Sequence, residues 1–140
     1  MNGLTPLCPY CGQFSAKVGG DAIYPHRPDL HHKVFYLCSP CNAYVGTHPG
    51  TDQPLGRLAD AELRHWKSRT HVAFDPIWQR RFERKRAIDP SYKKGMARGG
   101  RYRRLAELMG IPRKECHIGM FDVAACQRAI EICQSGALED

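Results

Sequence analysis

Two short cysteine motifs decide the fold: Cys8-Pro9-Tyr10-Cys11-Gly12 and Cys38-Ser39-Pro40-Cys41-Asn42. Each motif has two residues between its cysteines, so that two thiolates can point at one ion from a tight turn. Two such turns supply the four ligands of a tetrahedral zinc site. Two disulfides or four free thiols are the alternatives that the motifs leave open. We predict one closed, structural zinc site (one Zn²⁺ ion) whose ligands are Cys8, Cys11, Cys38 and Cys41.

Three short runs around these motifs have the aromatic and β-branched composition that favours strands. They are Ala16–Val18, Val34–Leu37 and Ala43–Val45. We therefore predict a small four-cysteine zinc ribbon over residues 1–50, with a three-stranded antiparallel sheet. A lobe of this size buries too small a core to be stable alone, so removal of zinc is expected to unfold it.

Residues 51–140 are predicted to form a mainly helical lobe that packs against the ribbon in one compact unit. The fold class is therefore α+β. Asp60 is expected to cap the first helix, and Pro76 to end that helix and begin a second one that Asp75 caps. His71 and Asp75 are four residues apart, so their side chains are expected to meet. Two later helices are predicted, one over Tyr102–Met109 and one that Asp122 caps.

The chain has 140 residues, a formal net charge of +7 and a sequence pI near 9.2. A basic excess of this size favours polyanionic partners such as nucleic acid. The first residues lack the features of a signal peptide, and no stretch is apolar and long enough to span a bilayer. We expect a cytoplasmic protein whose three remaining cysteines are reduced.

Most of the positive charge lies between Arg80 and Arg104, where eleven cations face only two acids, Glu83 and Asp89. Within this range, residues 91–100 contain three glycines and are predicted to form a flexible basic loop. A solvated basic surface without a ligand is the alternative. The residues predicted to contact DNA or RNA phosphates are Arg80, Arg84, Lys93, Lys94, Arg98 and Arg101.

Histidines raise two further hypotheses. The stretch 36–42 resembles the second knuckle of HNH nucleases with structural zinc, but the Asp-His pair of those nucleases is missing at the matching place. No catalytic residue is therefore assigned. We interpret His26, His31, His32 and His48 as ordinary loop histidines. The other hypothesis is a second metal site formed by Cys116, His117, Cys126 and Cys133. Packing of these cysteines as small apolar residues is the better explanation.

The chain is also similar to a phage and prophage family of zinc-finger-containing domains of unknown function. The segments that carry this resemblance are 8–12, 38–48, 54–60, 62–64, 70–71, 74–75 and 116–122. The resemblance implies a zinc-dependent fold and a phage or prophage origin, and it implies no activity. Trp66 and the glycine-rich segment depart from the family pattern.

The sequence thus predicts a phage-derived, zinc-stabilised accessory protein that binds nucleic acid through a basic helix and a glycine-rich loop. A module that docks on a host protein is the main alternative, because zinc ribbons serve both purposes. An HNH-like metal-dependent nuclease is the weaker one.

Overall fold

The computed structural model describes residues 5–139, which form two compact units divided after Arg64. Unit 1 comprises residues 5–64 and unit 2 comprises residues 65–139. The α+β class is confirmed, because a three-stranded antiparallel sheet and several helices are present. Whether the predicted lobes, 1–50 and 51–140, make one body stays a prediction. Over residues 5–139, no helix combines the length and the apolarity needed to cross a bilayer.

The sheet of unit 1 has the strand order β1-β2-β3, with β1 over Ala16–Gly19, β2 over Val34–Cys38 and β3 over Ala43–Gly46. Both pairings are antiparallel, and the register sets Cys38 opposite Ala43. The connection from β1 to β2 contains a short helix, α1 (Gly20–Ile23), and one 3-10 turn.

The outer edge of β3 is covered by the chain that follows it. Backbone hydrogen bonds join Tyr44 and Ala59 in both directions, at 3.0 and 3.1 Å, and the Leu55 N–H donates to the Gly46 carbonyl. Tyr36 is fully buried and donates its hydroxyl to the Asp52 carbonyl at 2.6 Å. The segment after β3 is thereby held along a strand edge that would otherwise be open to another chain.

Three long helices follow: α2 (Ala61–Ile88), α3 (Lys94–Met109) and α4 (Val123–Ser135). The predicted caps at Asp60 and Asp122 are confirmed, since the Asp60 carboxylate accepts from the Leu63 N–H at 2.9 Å and the Asp122 carboxylate accepts from the Ala125 N–H at 2.8 Å.

The prediction that Pro76 divides the first helix is wrong. Pro76 lies inside α2, which continues for twelve more residues to Ile88. An interior proline costs about 3 kcal/mol because it lacks an N–H and clashes with the preceding turn. Phe74, Ile77 and Trp78 flank it and are at most 8% exposed. Because each such side chain gains about 1.5–3 kcal/mol on burial, packing exceeds the local penalty.

The prediction of a flexible glycine-rich loop over residues 91–100 is also wrong, because α3 begins at Lys94. Three interior glycines cost a helix about 3 kcal/mol in total relative to alanine. Ala97, Tyr102 and Leu105 are buried along the same helix, and the Tyr102 ring lies 4.5 Å from that of Phe74. Burial of one side of α3 therefore outweighs the glycine preference for disorder.

The helical state of the glycine-rich segment can be tested at Gly100, where an added Cβ would meet no atom within 4 Å. Gly100→Ala is expected to raise the free energy of unfolding by about 1 kcal/mol, the helix-propensity difference. Urea denaturation measures this change.

Gly20→Ala is the contrasting variant, because its Cβ would lie 1.8 Å from the Leu30 carbonyl oxygen. Its free energy of unfolding is expected to fall by about 1–3 kcal/mol through overpacking. An unchanged or lower free energy of unfolding in Gly100→Ala would contradict a helix at that position.

Candidate metal centre

The first knuckle is a tight turn closed by two backbone hydrogen bonds. The Gly12 N–H donates to the Cys8 carbonyl, and the Cys8 N–H donates to the Gln13 carbonyl, both at 2.8 Å. Gly12 has φ +76°, a left-handed conformation that glycine adopts without steric cost. Leu7 and Phe14 pair across the base of this turn, which orients Cys8 and Cys11 towards the same side.

The second knuckle also has a left-handed residue after its second cysteine, but this residue is Asn42 and not a glycine. It begins at Cys38, the last residue of β2, and the Asn42 N–H donates to the Ser39 carbonyl at 3.2 Å. Asn42 has φ +52° and is the one described non-glycine residue with positive φ. Asparagine tolerates this conformation better than most residues. The residue after each second cysteine is thus left-handed, a feature that the Asn in C-S-P-C-N could have indicated from sequence.

The four predicted ligands converge: the Sγ atoms of Cys8, Cys11, Cys38 and Cys41 all lie within 4.8 Å of one another. The Cys11 and Cys38 Sγ atoms are 3.7 Å apart. Tetrahedral zinc with Zn–S bonds of about 2.3 Å requires Sγ atoms about 3.8 Å apart, whereas a disulfide bond is about 2.05 Å long. All four are free cysteines, so the geometry fits one structural zinc ion and excludes the disulfide alternative.

The protonation of these thiols also fits a cation site. Burial and, to a smaller extent, the neighbouring thiols raise the pKa of Cys41 to about 12. Burial opposes ionisation of Cys8 as well, but hydrogen bonds from the backbone N–H groups of Tyr10 and Cys11 and from the thiols of Cys38 and Cys41 together outweigh it and lower the Cys8 pKa. Four thiolates therefore do not coexist here without a positive ion. Zinc binding would displace the remaining protons and neutralise the cluster.

The metal site is continuous with the small core of unit 1. Cys8 and Cys38 are 1% and 4% exposed and belong to a buried cluster with Tyr36, Val45 and Leu58. Tyr10, inside the first motif, accepts a hydrogen bond from the Asp60 N–H at 3.1 Å. The knuckles thus contact both the sheet and the residue that caps α2.

The other metal hypotheses gain no support from the geometry. Among residues 5–139, the four ribbon cysteines are the one group of three or more side chains able to hold a metal. Burial raises the pKa of Cys116 and of Cys133 to about 11 each, and it also raises that of Cys126. These three thiols are buried, as expected for small apolar side chains. Of the histidines, His31 contacts the Tyr24 carbonyl through Nε2 at 3.0 Å.

The basic residues named from the sequence lie on two helices of unit 2. Lys94, Arg98 and Arg101 recur at intervals of four and three residues along one side of α3. Arg80 on α2 forms an ion pair with Glu139 at 2.5 Å, and Arg101 donates to the Leu138 carbonyl at 2.8 Å. The sequence reasoning missed this role of the C-terminal residues, since nothing in their composition indicates a partner. Arg84 on α2 and Lys93 at the start of α3 are both exposed.

Two of these cations, and Arg86 of α2, lie over aromatic rings, an arrangement that the sequence reasoning also missed. Lys94 Nζ is 5.8 Å and Arg86 Cζ is 5.7 Å from the centroid of the Phe82 ring. Arg98 Cζ is 5.7 Å from that of Trp78. Such contacts are worth about 0.5–1 kcal/mol at exposed sites and restrict where the charged groups lie.

His71 and Asp75, four residues apart on α2, form the contact expected from their spacing. The His71 Nδ1 and Asp75 Oδ2 atoms are 3.1 Å apart, and the Trp78 Nε1–H donates to the other Asp75 oxygen. Asp75 lies inside a continuous helix, so its predicted role as a helix cap is wrong. Its carboxylate instead positions two side chains of α2.

Two knuckles, a three-stranded sheet and four converging thiols define a zinc-ribbon protein. A family model described as a zinc-finger-containing domain matches residues 4–136, and the chain belongs to that family. Neither a curated protein nor a solved structure matches the chain.

Removal of the metal is expected to unfold unit 1. Structural zinc sites contribute about 10–16 kcal/mol of binding free energy, as much as the whole stability of a typical domain. Elemental analysis should find one zinc per chain, and a strong chelator should abolish the dispersed amide resonances of residues 5–64.

Cys41→Ser should reproduce this loss, whereas Cys133→Ala, outside the cluster, should keep the zinc despite a smaller core. Full zinc content in Cys41→Ser would argue against the assignment of four cysteine ligands.

Proposed function

We propose that this protein is a zinc-stabilised accessory protein that binds nucleic acid through phosphate contacts from α2 and α3. The observation that carries the proposal is the charge of residues 80–104, where eleven cations face two acids. Lys and Arg that neutralise phosphates release condensed counterions, which supplies most of the affinity in sequence-independent binding. A phage or prophage origin and a cytoplasmic location in the host belong to this proposal and rest on sequence alone.

The start of α3 supports the proposal. The helix follows Lys93 and begins with Lys94, its first turn contains no acid, and no side chain caps it. The first N–H groups of a helix and its dipole favour an anion at this end, where acids are usually found. Here two lysines stand instead, so both the backbone and the side chains favour an external phosphate.

The aromatic contacts of unit 2 support a defined basic surface. Lys94 and Arg98, four residues apart, lie over Phe82 and Trp78 of α2. The charged ends of both side chains lie within 6 Å of the ring centroids, and both residues are exposed, so the charges remain open to solvent at defined places. Cations held in this way lose less side-chain entropy when a phosphate binds. The proposed contact surface is therefore centred on Lys93, Lys94 and Arg98, and it includes Arg84 of α2.

The C-terminal residues compete for part of this charge. Arg80 is paired with Glu139, and the side chains of the two residues are 54% and 41% exposed. An exposed pair of this kind is worth about 0–1 kcal/mol and is readily exchanged. Arg80 is thus available to a phosphate once Glu139 is displaced.

The affinity for a single-stranded or duplex oligonucleotide should fall steeply with salt. Phosphate contacts from all six predicted residues give a slope of log K against log salt of about −4 to −5. These residues are Arg80, Arg84, Lys93, Lys94, Arg98 and Arg101. Lys93→Ala/Lys94→Ala/Arg98→Ala should reduce that slope by about 2–3, as measured by fluorescence anisotropy over about 50–200 mM salt.

The matched control is Arg103→Ala/Lys114→Ala/Arg128→Ala, which removes the same charge from exposed positions of unit 2. Arg103 lies nine residues after Lys94, which places it on the opposite side of α3. Equal losses in both triple variants would indicate a diffuse charge effect, and no binding at low salt would favour the host-protein alternative.

Glu139→Gln should strengthen oligonucleotide binding, because it frees Arg80 and removes one negative charge. A pair worth up to about 1 kcal/mol predicts a gain of up to about fivefold. Glu131→Gln, on the exposed side of α4 near Arg128, is the control and should change binding little. Unchanged affinity in Glu139→Gln would remove Arg80 from the contact surface.

A further inference from the structure

Unit 1 contains an open cleft that the zinc site and the basic segment of unit 2 do not use. It lies between the start of β2 and the turn that follows β3, and its volume is about 450 Å³. Small-molecule sites are commonly clefts of about 300–1,000 Å³ with an apolar lining and a few polar groups. The size therefore suits a ligand of the dimensions of one nucleotide.

The base of the cleft is apolar. Phe35 is buried there, while Val34 is half-buried and Leu55 is 45% exposed. Gly46 keeps this base open, because a Cβ at that position would lie 3.5 Å from both the Leu55 side chain and the Phe35 ring. An apolar or aromatic ligand group can occupy the space that a side chain at position 46 would fill.

The mouth of the cleft is basic. The exposed residues His32, Lys33 and His48 line it. Within residues 5–139, no hydrogen bond or ion pair involves the Lys33 ammonium or the imidazoles of His32 and His48. The acid of the cleft, Asp52, is already paired with Lys17 at 2.9 Å. The side chains at the mouth therefore offer N–H donors and one permanent positive charge to an anion.

We propose that this cleft binds one unpaired nucleotide. Its nucleobase would lie on the Phe35–Leu55 side, and its phosphate would lie at Lys33 and the two histidines. A cleft with an apolar floor and a cationic mouth suits a ligand that is itself part aromatic and part anionic. The choice of a nucleotide over other ligands of this kind rests on the proposed nucleic-acid function. The cleft and the α2–α3 surface would then contact the same polyanion through separate parts of the chain.

The test uses the full-length, zinc-loaded protein and adenosine 5′-monophosphate, with adenosine, inorganic phosphate and a short acidic peptide as comparison probes. The expected result is a Kd of about 1 mM or tighter for the nucleotide. Amide shifts should be confined to the cleft, including Gly46 and His48, and binding of adenosine or phosphate alone should be weaker.

Two variants separate binding from folding. Gly46→Ala adds a methyl group at ordinary contact distance, so the melting temperature should stay equal or rise while nucleotide affinity falls. Lys33→Gln should weaken the nucleotide by about fivefold or more and should leave adenosine binding unchanged. Lys93→Ala/Lys94→Ala/Arg98→Ala should leave mononucleotide binding intact.

Unchanged nucleotide affinity in both cleft variants, or no cleft shifts at millimolar nucleotide, would overturn this inference. A stronger response of the same amides to the acidic peptide would overturn the choice of ligand. Either result leaves the proposed function standing if oligonucleotide binding still depends on Lys93, Lys94 and Arg98. Loss of that dependence with cleft binding retained would instead refute the proposed surface on α2 and α3.

Discussion

Unit 1 depends on four thiol groups held within 4.8 Å of one another. Burial, together with the neighbouring thiols, holds the pKa of Cys41 near 12, so the four groups do not all ionise unless a cation binds. A bound zinc ion reverses the balance and ties the first knuckle to the end of β2. Because Cys8 and Cys38 are packed with Tyr36 and Leu58, the metal site and the small apolar core form one structural unit. Neither is sufficient alone in a lobe of this size.

Unit 2 is stabilised in a different way, by burial of large side chains against unfavourable local sequence. Its two anomalies, Pro76 inside α2 and the glycines inside α3, each cost about 3 kcal/mol. Phe74 and Tyr102 are buried on these two helices, and their rings lie 4.5 Å apart. The same helices carry the basic side chains, and the aromatic residues Phe82 and Trp78 support several of them. Packing and charge are thus organised by the same pair of helices.

This organisation separates the role of zinc from the proposed activity. The four ligands fill a tetrahedral site, so the ion has no open position for a substrate and acts as a structural element. The surfaces that we propose for recognition are the cations of α2 and α3 and the cleft beside β2. Both combine positive charge with apolar or aromatic surface, a combination that suits unpaired nucleic acid.

The sequence by itself determined the metal ligands, the three strands and the caps at Asp60 and Asp122, because each is indicated by a pattern of residues a few positions apart. It also determined the excess of positive charge. Tertiary structure alone decided that α2 passes through Pro76, that Gly99 and Gly100 are helical, and that Glu139 pairs with Arg80. It also brought Lys33 and His48 to one cleft. These outcomes depend on burial and on contacts between residues distant in sequence, whose energies exceed the local preferences by which a sequence is interpreted.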